Sequence, residues 1–191
     1  DTNLCCLIGD PVIQSPSPEI HNASFKASNL NYIYLSFRVI KEDLKTAIDG
    51  LRTLGVKGFN ITIPHKEAAL ELVDEVDSIS DDIGAINTVV NKNGKLVGVN
   101  SDVEGFIYPL KEKSIIIKNN KSMILGAGGA ARACIAALIN EGCNDLVILN
   151  RDPKRATDIV SHLQKKFVFN ANIGMLNQEN ISKFIGDVDL I

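Results

Sequence analysis

Hydrophobic positions along the first half of the chain recur at two spacings, one typical of strands and one typical of helices. Residues 4–8 form a short apolar run closed by a Gly-Asp-Pro turn, and residues 31–39 alternate with several aromatic side chains, so both segments predict strands. Leu44, Ile48 and Leu51 share one side of a helix predicted over 42–54. Strands and helices that alternate in this way predict an α/β unit.

The stretch 58–67 joins a predicted strand to a predicted helix and carries polar residues near the junction. Apolar and polar residues alternate over 59–63, and the strand ends at Pro64 because proline cannot donate to a ladder. A helix predicted over 67–75 places Lys66 in its first turn. Open α/β sheets bind ligands at such strand ends, so Asn60, Thr62 and Lys66 are candidate binding residues. A surface lysine after an ordinary strand is the alternative interpretation.

Two later polar residues are expected at the same edge of the sheet. Residues 85–90 and 96–99 predict a hairpin that turns at Asn93-Gly94, a strong signal for a tight turn. Asn87 lies in the first of these strands, and Asp102 follows the second, before a helical connection predicted to begin at Gly105. The strands carrying Lys66, Asn87 and Asp102 can therefore all end at one rim.

Near the start of the chain, a rigid Ser-Pro-Ser-Pro loop precedes a helix predicted to end near residue 28. Ser17 is the predicted N-cap, and Pro18 is the predicted first helical residue. Ser15 and Ser17 offer two hydroxyls near a helix amino end, an arrangement suited to a carboxylate or a phosphate. Capping alone would explain Ser17 and leave Ser15 without a role.

A polar stretch at 118–121 marks a change in composition, and we predict two domains, 1–113 and 114–191. A strand predicted over 122–125 leads directly into the run Gly126, Ala127, Gly128, Gly129, Ala130, Ala131. This run matches the dinucleotide-binding fingerprint in its expected place between strand and helix. The first glycine permits the tight turn, the second lets the backbone approach a pyrophosphate, and the last alanine allows close packing. The second domain is therefore predicted to bind a dinucleotide, with further strands at 146–149, 167–169 and 187–191.

The end of the strand at 146–149 is expected to contact the adenosine side of the cofactor. Asn150 and Arg151 stand at its tip, and Arg155 follows one helical turn later. Arginine provides a planar fork of donors that matches phosphate oxygens, which favours NADP over NAD. Asp152 keeps NAD open as an alternative, because an acidic residue there can hold ribose hydroxyls. The same aspartate could instead cap the helix that Pro153 opens.

Composition excludes several classes of function. The formal net charge is −3, no basic stripe with interleaved aromatic residues is present, and no apolar run is long enough to span a bilayer. Neither nucleic acid nor a membrane is an expected partner. The four cysteines form no CxxC pair, which indicates buried free thiols and, by default, a cytoplasmic protein. The three histidines show no metal-ligand spacing and are interpreted as structural, so no metal is expected.

Six motifs, taken in order, resemble shikimate dehydrogenases from one end of the chain to the other. They are 15–17, 60–66, 84–88, 100–102, 126–131 and 150–151. The resemblance implies an amino-terminal α/β substrate domain with a mixed, mainly parallel sheet, then a Rossmann domain that is incomplete here. We expect a fragment, because the chain starts just before a strand, ends as another begins, and lacks later family segments.

The resemblance also implies the activity, which is the reversible, NADP-dependent reduction of 3-dehydroshikimate to shikimate on the chorismate route to aromatic amino acids. Ser15 and Ser17 would bind the substrate carboxylate. The ring hydroxyls would be held by Thr62, Lys66, Asn87 and Asp102, with Asn60 nearby. Lys66 and Asp102 would be catalytic, and the cofactor residues would be those at 126–130 together with Asn150, Arg151 and Arg155. A small-molecule substrate and a monomer or homodimer are expected.

Three other interpretations remain open from the sequence. A quinate/shikimate dehydrogenase paralogue would share the site and often use NAD, and Asp152 departs from the small hydroxyl residue commonest there. A non-catalytic sensor of pathway ligands belongs to a different class, and Lys66 with Asp102 argues against it because a sensor needs no proton transfer. A methylene-tetrahydrofolate dehydrogenase also joins a lysine to a Rossmann domain, but the Ser-Pro-Ser loop disfavours it.

Overall fold

The computed structural model describes residues 2–191, which form two compact units. One unit ends at Asn100, and the other comprises Ser101–Ile191. The helix at 102–112, which the predicted division into 1–113 and 114–191 assigns to the first domain, groups with the second unit. Each unit combines a sheet with helices, so the predicted α/β class is confirmed.

The first unit is built on a six-stranded mixed sheet. Its strands are β1 (Asn3–Gly9), β2 (Tyr32–Arg38), β3 (Gly58–Ile61), β4 (Glu75–Val76), β5 (Thr88–Lys92) and β6 (Lys95–Val99). Their order is β2-β1-β3-β5-β6-β4, and β5 alone runs antiparallel to its neighbours. The sheet is therefore mixed and mainly parallel, as predicted. The hairpin between β5 and β6 turns at the expected dipeptide, where Asn93 and Gly94 both have positive φ.

Three α-helices accompany this sheet: α1 (Ser17–Ala27), α2 (Leu44–Thr53) and α3 (Ser78–Ile83). The α2 side chains Leu44, Ile48 and Leu51 join a buried cluster with Cys6 and Ile8 of β1. The intervening β1 residues instead contact Phe25 of α1 and Tyr34 of β2. Successive strand residues point to opposite faces, so α1 and α2 cover opposite sides of the sheet.

The helix predicted over 67–75 is wrong. The chain forms a short 3-10 helix at Ala68–Leu72 and then enters β4. In an α-helix the Lys66 carbonyl would accept from residue 70, but here it accepts from the backbone N–H of Ile86 at 2.9 Å. Further along the chain, Asp74 N–H donates to the Leu96 carbonyl, and this hydrogen bond places residue 74 beside β6. Long-range backbone pairing thus overrides the helix propensity of this alanine- and leucine-rich segment.

Arg52 and Asp74 fasten α2 to the β5–β6 hairpin. Arg52 Nη1 donates to Asp74 Oδ2 at 2.5 Å and to the Gly94 carbonyl at 2.7 Å. Asp74 also accepts from the backbone N–H of Leu96 at 2.6 Å. The hydrogen bond from Arg52 and then the one from Leu96 hold the pKa of the Asp74 carboxyl below its usual range. The ionised carboxylate therefore stabilises the fold.

We expect Asp74→Asn to lower the thermal unfolding midpoint at neutral pH, with the difference from wild type narrowing on acidification. A carboxyl whose folded pKa is lowered contributes stability above its ordinary value of 3.8 and loses that contribution as pH falls through the folded value. Asp49→Asn is the matched control, because its exposed i,i+4 pair with Lys45 should contribute little at any pH. An Asp74→Asn difference that stayed constant down to about pH 2 would rule out the charge as its cause.

The second unit contains a parallel sheet and four helices. Its strands are β7 (Lys121–Leu125), β8 (Asp145–Asn150) and β9 (Asn170–Met175). Its helices are α4 (Asp102–Glu112), α5 (Gly129–Asn140), α6 (Pro153–Leu163) and α7 (Gln178–Phe184). The strand order is β7-β8-β9. The longest helix, α5, has 12 residues, and none in the described chain is long and apolar enough to cross a membrane.

Two strand predictions in this unit need correction. The strand expected at 167–169 begins instead at Asn170, because these residues still make turn contacts with the end of α6: Phe167 N–H donates to the Leu163 carbonyl at 2.8 Å. The strand expected at 187–191 is reduced to one parallel bridge between Leu190 and Ser122. That bridge lies beside β7, on the side opposite β8, where a fourth parallel strand would pair.

Candidate functional site

Several strand ends of the first unit lie together at one rim. The carboxyl ends of β1, β3 and β6 meet the start of β5 there. Thr62 N–H donates to the Ile8 carbonyl at 3.0 Å, just beyond the end of β3. Asn87 N–H donates to the Val99 carbonyl at 3.1 Å, and the Asn87 carbonyl accepts from Ile61 N–H at 2.8 Å. Thr62 therefore follows the end of β3, and Asn87 precedes the start of β5, at the same edge of the sheet.

The Ser15 and Ser17 hydroxyls are adjacent at this edge. Ser15 Oγ donates to Ser17 Oγ at 3.0 Å and accepts from Ser17 N–H at 3.3 Å. The prediction that Ser17 is the N-cap is wrong, because the Pro16 carbonyl accepts the first helical bond, from Ile20 N–H at 3.1 Å. Ser17 is thus the first residue of α1. Two hydroxyls at a helix amino end can bind a carboxylate.

Lys66 is fixed by its backbone next to Asn87. Its carbonyl accepts from Ile86 N–H, so the lysine lies opposite the residue that precedes Asn87. The turn before it is held by His65, whose N–H donates to the Thr62 carbonyl at 3.0 Å and whose Nε2 lies 2.7 Å from the Val39 carbonyl. His65 is 1% exposed and so has the structural role predicted for it. Lys66 itself is half-buried.

Gly9, in the turn predicted to close the first strand, allows a close backbone contact with the segment before Lys66. A Cβ at Gly9 would collide with the Thr62 side chain and lie 2.9 Å from the Ile63 carbonyl oxygen. Asp10 N–H donates to that same carbonyl at 2.8 Å. The end of β1 thus packs directly on the segment that leads to Lys66.

The amide side chains at the rim are joined by hydrogen bonds to two residues that the sequence analysis did not single out. Tyr34 Oη donates to Asn60 Oδ1 at 2.6 Å, and Asn60 Nδ2 donates to Thr88 Oγ1 at 2.9 Å. Thr88 Oγ1 in turn donates to Asn87 Oδ1 at 2.8 Å. No local signal marks Tyr34, because only the sheet brings it near Asn60, which is 26 positions away.

Asp102 belongs to the second unit, where it is the first residue of α4. The helix begins three positions before the predicted start at Gly105, with Ser101 in the N-cap position. A carboxylate in the first turn is favourable because the amino end of a helix carries partial positive charge. The preceding Asn100 is buried, and its side chain donates to the Ala85 carbonyl at 2.9 Å.

The glycine-rich loop of the second unit has the features that a pyrophosphate requires. Gly126 has φ +122°, a conformation that favours glycine, and its N–H donates to the Leu149 carbonyl at 2.8 Å. A Cβ at Gly128 would meet nothing within 4 Å, so the space before the amino end of α5 is open. No side chain of the described residues caps that helix end. The residues present therefore fit a dinucleotide phosphate.

The tip of β8 leaves two arginines exposed. Asp152 is the N-cap of α6 and accepts from Lys154 N–H at 3.0 Å, which confirms the capping alternative. Asn150 Nδ2 donates to the Asp152 carbonyl at 2.8 Å and so fixes the turn. Arg151 and Arg155 are exposed on either side of this cap. Exposed guanidinium groups at this tip suit an additional ribose phosphate.

A mixed α/β unit with a polar rim, followed by a parallel unit with a dinucleotide loop, defines a two-domain dinucleotide-binding protein. Comparisons with known proteins specify the family. Residues 7–89 match the shikimate dehydrogenase substrate binding domain, and residues 110–191 match shikimate / quinate 5-dehydrogenase. The chain belongs to the shikimate dehydrogenase family.

Individual relatives agree with this assignment. The shikimate dehydrogenase (NADP(+)) of Methanopyrus kandleri is 45% identical over 100% of this chain and 66% of its own length. The enzyme of the same name from Caldanaerobacter subterraneus subsp. tengcongensis is 42% identical over 100% of this chain and 67% of its own length. Shikimate 5-dehydrogenase from Listeria monocytogenes, solved in complex with shikimate and NAD, has a TM-score of 0.86 at 32% identity. The match covers 98% of this chain and 66% of the Listeria chain. The chain thus spans about two thirds of the length of these relatives.

Proposed function

We propose that this protein is an NADP-dependent shikimate dehydrogenase that catalyses the reversible reduction of 3-dehydroshikimate to shikimate, a step of chorismate and aromatic amino acid biosynthesis. The observation that carries the proposal is the rim of the first unit, where paired serine hydroxyls, Thr62, Lys66 and Asn87 lie at converging strand ends. Relatives named for NADP(+) support this cofactor.

The substrate is a ring with a carboxylate and several hydroxyls, and the rim offers matching groups. Ser15 and Ser17 donate to the carboxylate from the amino end of α1, where a negative charge is favoured. The side chains of Thr62, Lys66 and Asn87 bind the ring oxygens. Asp102 completes the proposed set as the second catalytic residue, and its assignment rests on the resemblance of the motif 100–102.

Lys66 is proposed to act on the reacting oxygen. The cofactor, when bound, supplies the hydride that reaches the ketone carbon. Negative charge then develops on the ketone oxygen, and the Lys66 ammonium stabilises that charge and donates a proton to form the alcohol. In the reverse direction the lysine amine accepts the hydroxyl proton. The glycine-rich loop and Arg151 with Arg155 would hold the phosphates of the cofactor.

A cytoplasmic location and a monomeric or homodimeric state are part of the proposal. The four cysteines support a reducing compartment, because all are free thiols in the described chain. Burial raises the pKa of the Cys6 thiol to about 12, which makes it unreactive at neutral pH.

The test is cofactor reduction followed by absorbance in the intact protein, meaning this chain with any natural sequence that flanks it. We expect turnover of shikimate with NADP, and slower or no turnover with NAD or with quinate. Equal or better rates with quinate and NAD would replace the proposal with the quinate/shikimate paralogue. Shikimate binding without reduction of either cofactor would replace it with the ligand sensor.

A further inference from the structure

A continuous series of side-chain hydrogen bonds runs across the first unit and ends at Asn87. We call its members, Tyr34, Asn60, Thr88 and Asn87, the amide relay. Tyr34 lies on β2 and Asn60 on β3, the two strands that flank β1, so the tyrosine side chain reaches across β1. The relay therefore connects an outer strand of the sheet to a side chain of the proposed substrate site.

The donor direction of the relay is fixed at Asn60. Its Nδ2 lies 2.9 Å from Thr88 Oγ1 and 3.4 Å from the backbone oxygen of Asn87. An amide oxygen in that place would face a carbonyl oxygen, so the nitrogen must occupy it. Thr88 then accepts from Asn60, and its single hydroxyl hydrogen goes to Asn87 Oδ1. The Asn87 amide is consequently held with its oxygen towards Thr88 and its nitrogen turned the other way.

Tyr34 is a rigid start for this series. It is 2% exposed, and its ring stacks on His21 with centroids 4.3 Å apart and planes inclined by 15°. The Asn22 side chain of α1 accepts from Tyr34 N–H at 2.8 Å and donates to the Tyr34 carbonyl at 2.9 Å. Burial raises the pKa of the Tyr34 hydroxyl, which therefore stays a neutral donor. The helix that begins at the serine pair is thus fastened to the same tyrosine.

We propose that Tyr34 is a positioning residue for the substrate: acting through Asn60 and Thr88, it holds the Asn87 amide so that its nitrogen donates to a ring oxygen. The inference rests on the proposed function and extends it to two residues, Tyr34 and Thr88, outside the predicted site. In this assignment Asn60 acts through Asn87. The ligand must carry a hydrogen-bond acceptor opposite Asn87. A ring hydroxyl or ketone meets this requirement, and a ligand with only hydrogen at that ring position does not.

Tyr34→Phe and Thr88→Val test the relay in the intact protein by steady-state kinetics. Each removes one hydroxyl and leaves the side-chain volume nearly unchanged. We expect each to raise the KM for shikimate about 3- to 10-fold, the loss typical of one neutral hydrogen bond, with the KM for NADP unchanged. Tyr32→Phe, on the same strand, is the matched control and should leave both constants at the wild-type value.

Thr88→Ser separates positioning from structure. Serine keeps the hydroxyl that accepts from Asn60 and donates to Asn87, so its KM for shikimate should stay within about twofold of wild type. Valine is the better strand former, so a purely structural role would make Thr88→Val the milder change, in thermal unfolding and in KM alike. If the relay acts as proposed, Thr88→Val has the higher KM for shikimate although it is the more stable of the two variants, and Thr88→Ser has the lower KM although it is the less stable.

A double variant decides whether the two residues act through one series. If Tyr34 and Thr88 share the relay, Tyr34→Phe/Thr88→Val should raise KM no more than the larger single effect. Multiplying effects, or equal KM values for Thr88→Ser and Thr88→Val, would overturn the proposal. Should Tyr34→Phe fail to fold, the serine and valine variants decide alone. Wild-type protein that turns over no shikimate would refute the proposed function itself, whatever the variants do, and would leave the relay no substrate to position.

Discussion

Lys66→Ala is expected to lower kcat for shikimate oxidation about 10²- to 10⁴-fold, the range found when a positioned proton donor or acceptor is removed. The KM for shikimate should change much less, because the serine pair, Thr62 and Asn87 remain. The fold should persist, since the backbone carbonyl of residue 66, and not its side chain, makes the bond to Ile86. Steady-state kinetics and shikimate binding by calorimetry measure the two effects separately.

Two further lysine variants sharpen this result. Lys45→Ala removes an exposed lysine that pairs with Asp49 on α2, and it should leave kcat unchanged. Lys66→Arg keeps the positive charge, but a guanidinium does not release its proton at ordinary pH, so it should remain strongly impaired. A Lys66→Ala protein with wild-type kcat would remove the lysine from the chemistry. Full activity in Lys66→Arg would limit its role to charge stabilisation.

Arg151→Ala should raise the KM for NADP about 10- to 100-fold, as expected for the loss of charge-assisted hydrogen bonds to a phosphate. The KM for NAD should change little, because NAD lacks the 2′-phosphate. The preference between the cofactors would thereby shift towards NAD. The structural basis is that Asp152 caps α6 and that the neighbouring Arg151 is exposed at the tip of β8.

Lys154→Ala is the matched control for this cofactor experiment. Lys154 is a cation of the same turn, but its ammonium pairs with Asp158 at 2.9 Å, and that hydrogen bond raises its pKa. Its removal should change the KM for NADP by less than about twofold, because its ammonium is already paired with Asp158 and breaking such an exposed pair costs the fold little. Equal losses for NADP and NAD in Arg151→Ala would show that the arginine supports the turn and does not recognise the phosphate.

Features with a local physical cause were predicted correctly. The Asn93-Gly94 turn follows from the positive φ that both residues adopt, and the Gly126 turn follows from a conformation that favours glycine. The spacing of Leu44, Ile48 and Leu51 identified the buried side of α2. Each of these signals lies within a few residues of the structure it specifies.

Predictions that depended on distant partners were less successful. The alanine- and leucine-rich segment after Lys66 has the composition of a helix, yet its first carbonyl pairs with Ile86 and the segment stays a 3-10 turn. The N-cap of α1 is Pro16 and not Ser17, so the helix starts one residue earlier than the sequence pattern indicates. Helix termini are set by which carbonyl accepts the first bond, and propensity does not specify that.

The sequence by itself determined most of the strands and helices, the dinucleotide loop and the polar residues at strand ends, because all of these are properties of short segments. Only the tertiary structure decided which of those residues act together. Tyr34, Asn60 and Thr88 stand 26 and 28 positions apart in successive steps, and sheet pairing alone brings them into hydrogen-bond contact. The direction of the Asn87 amide is a consequence of that pairing, so no pattern along the chain could have indicated it.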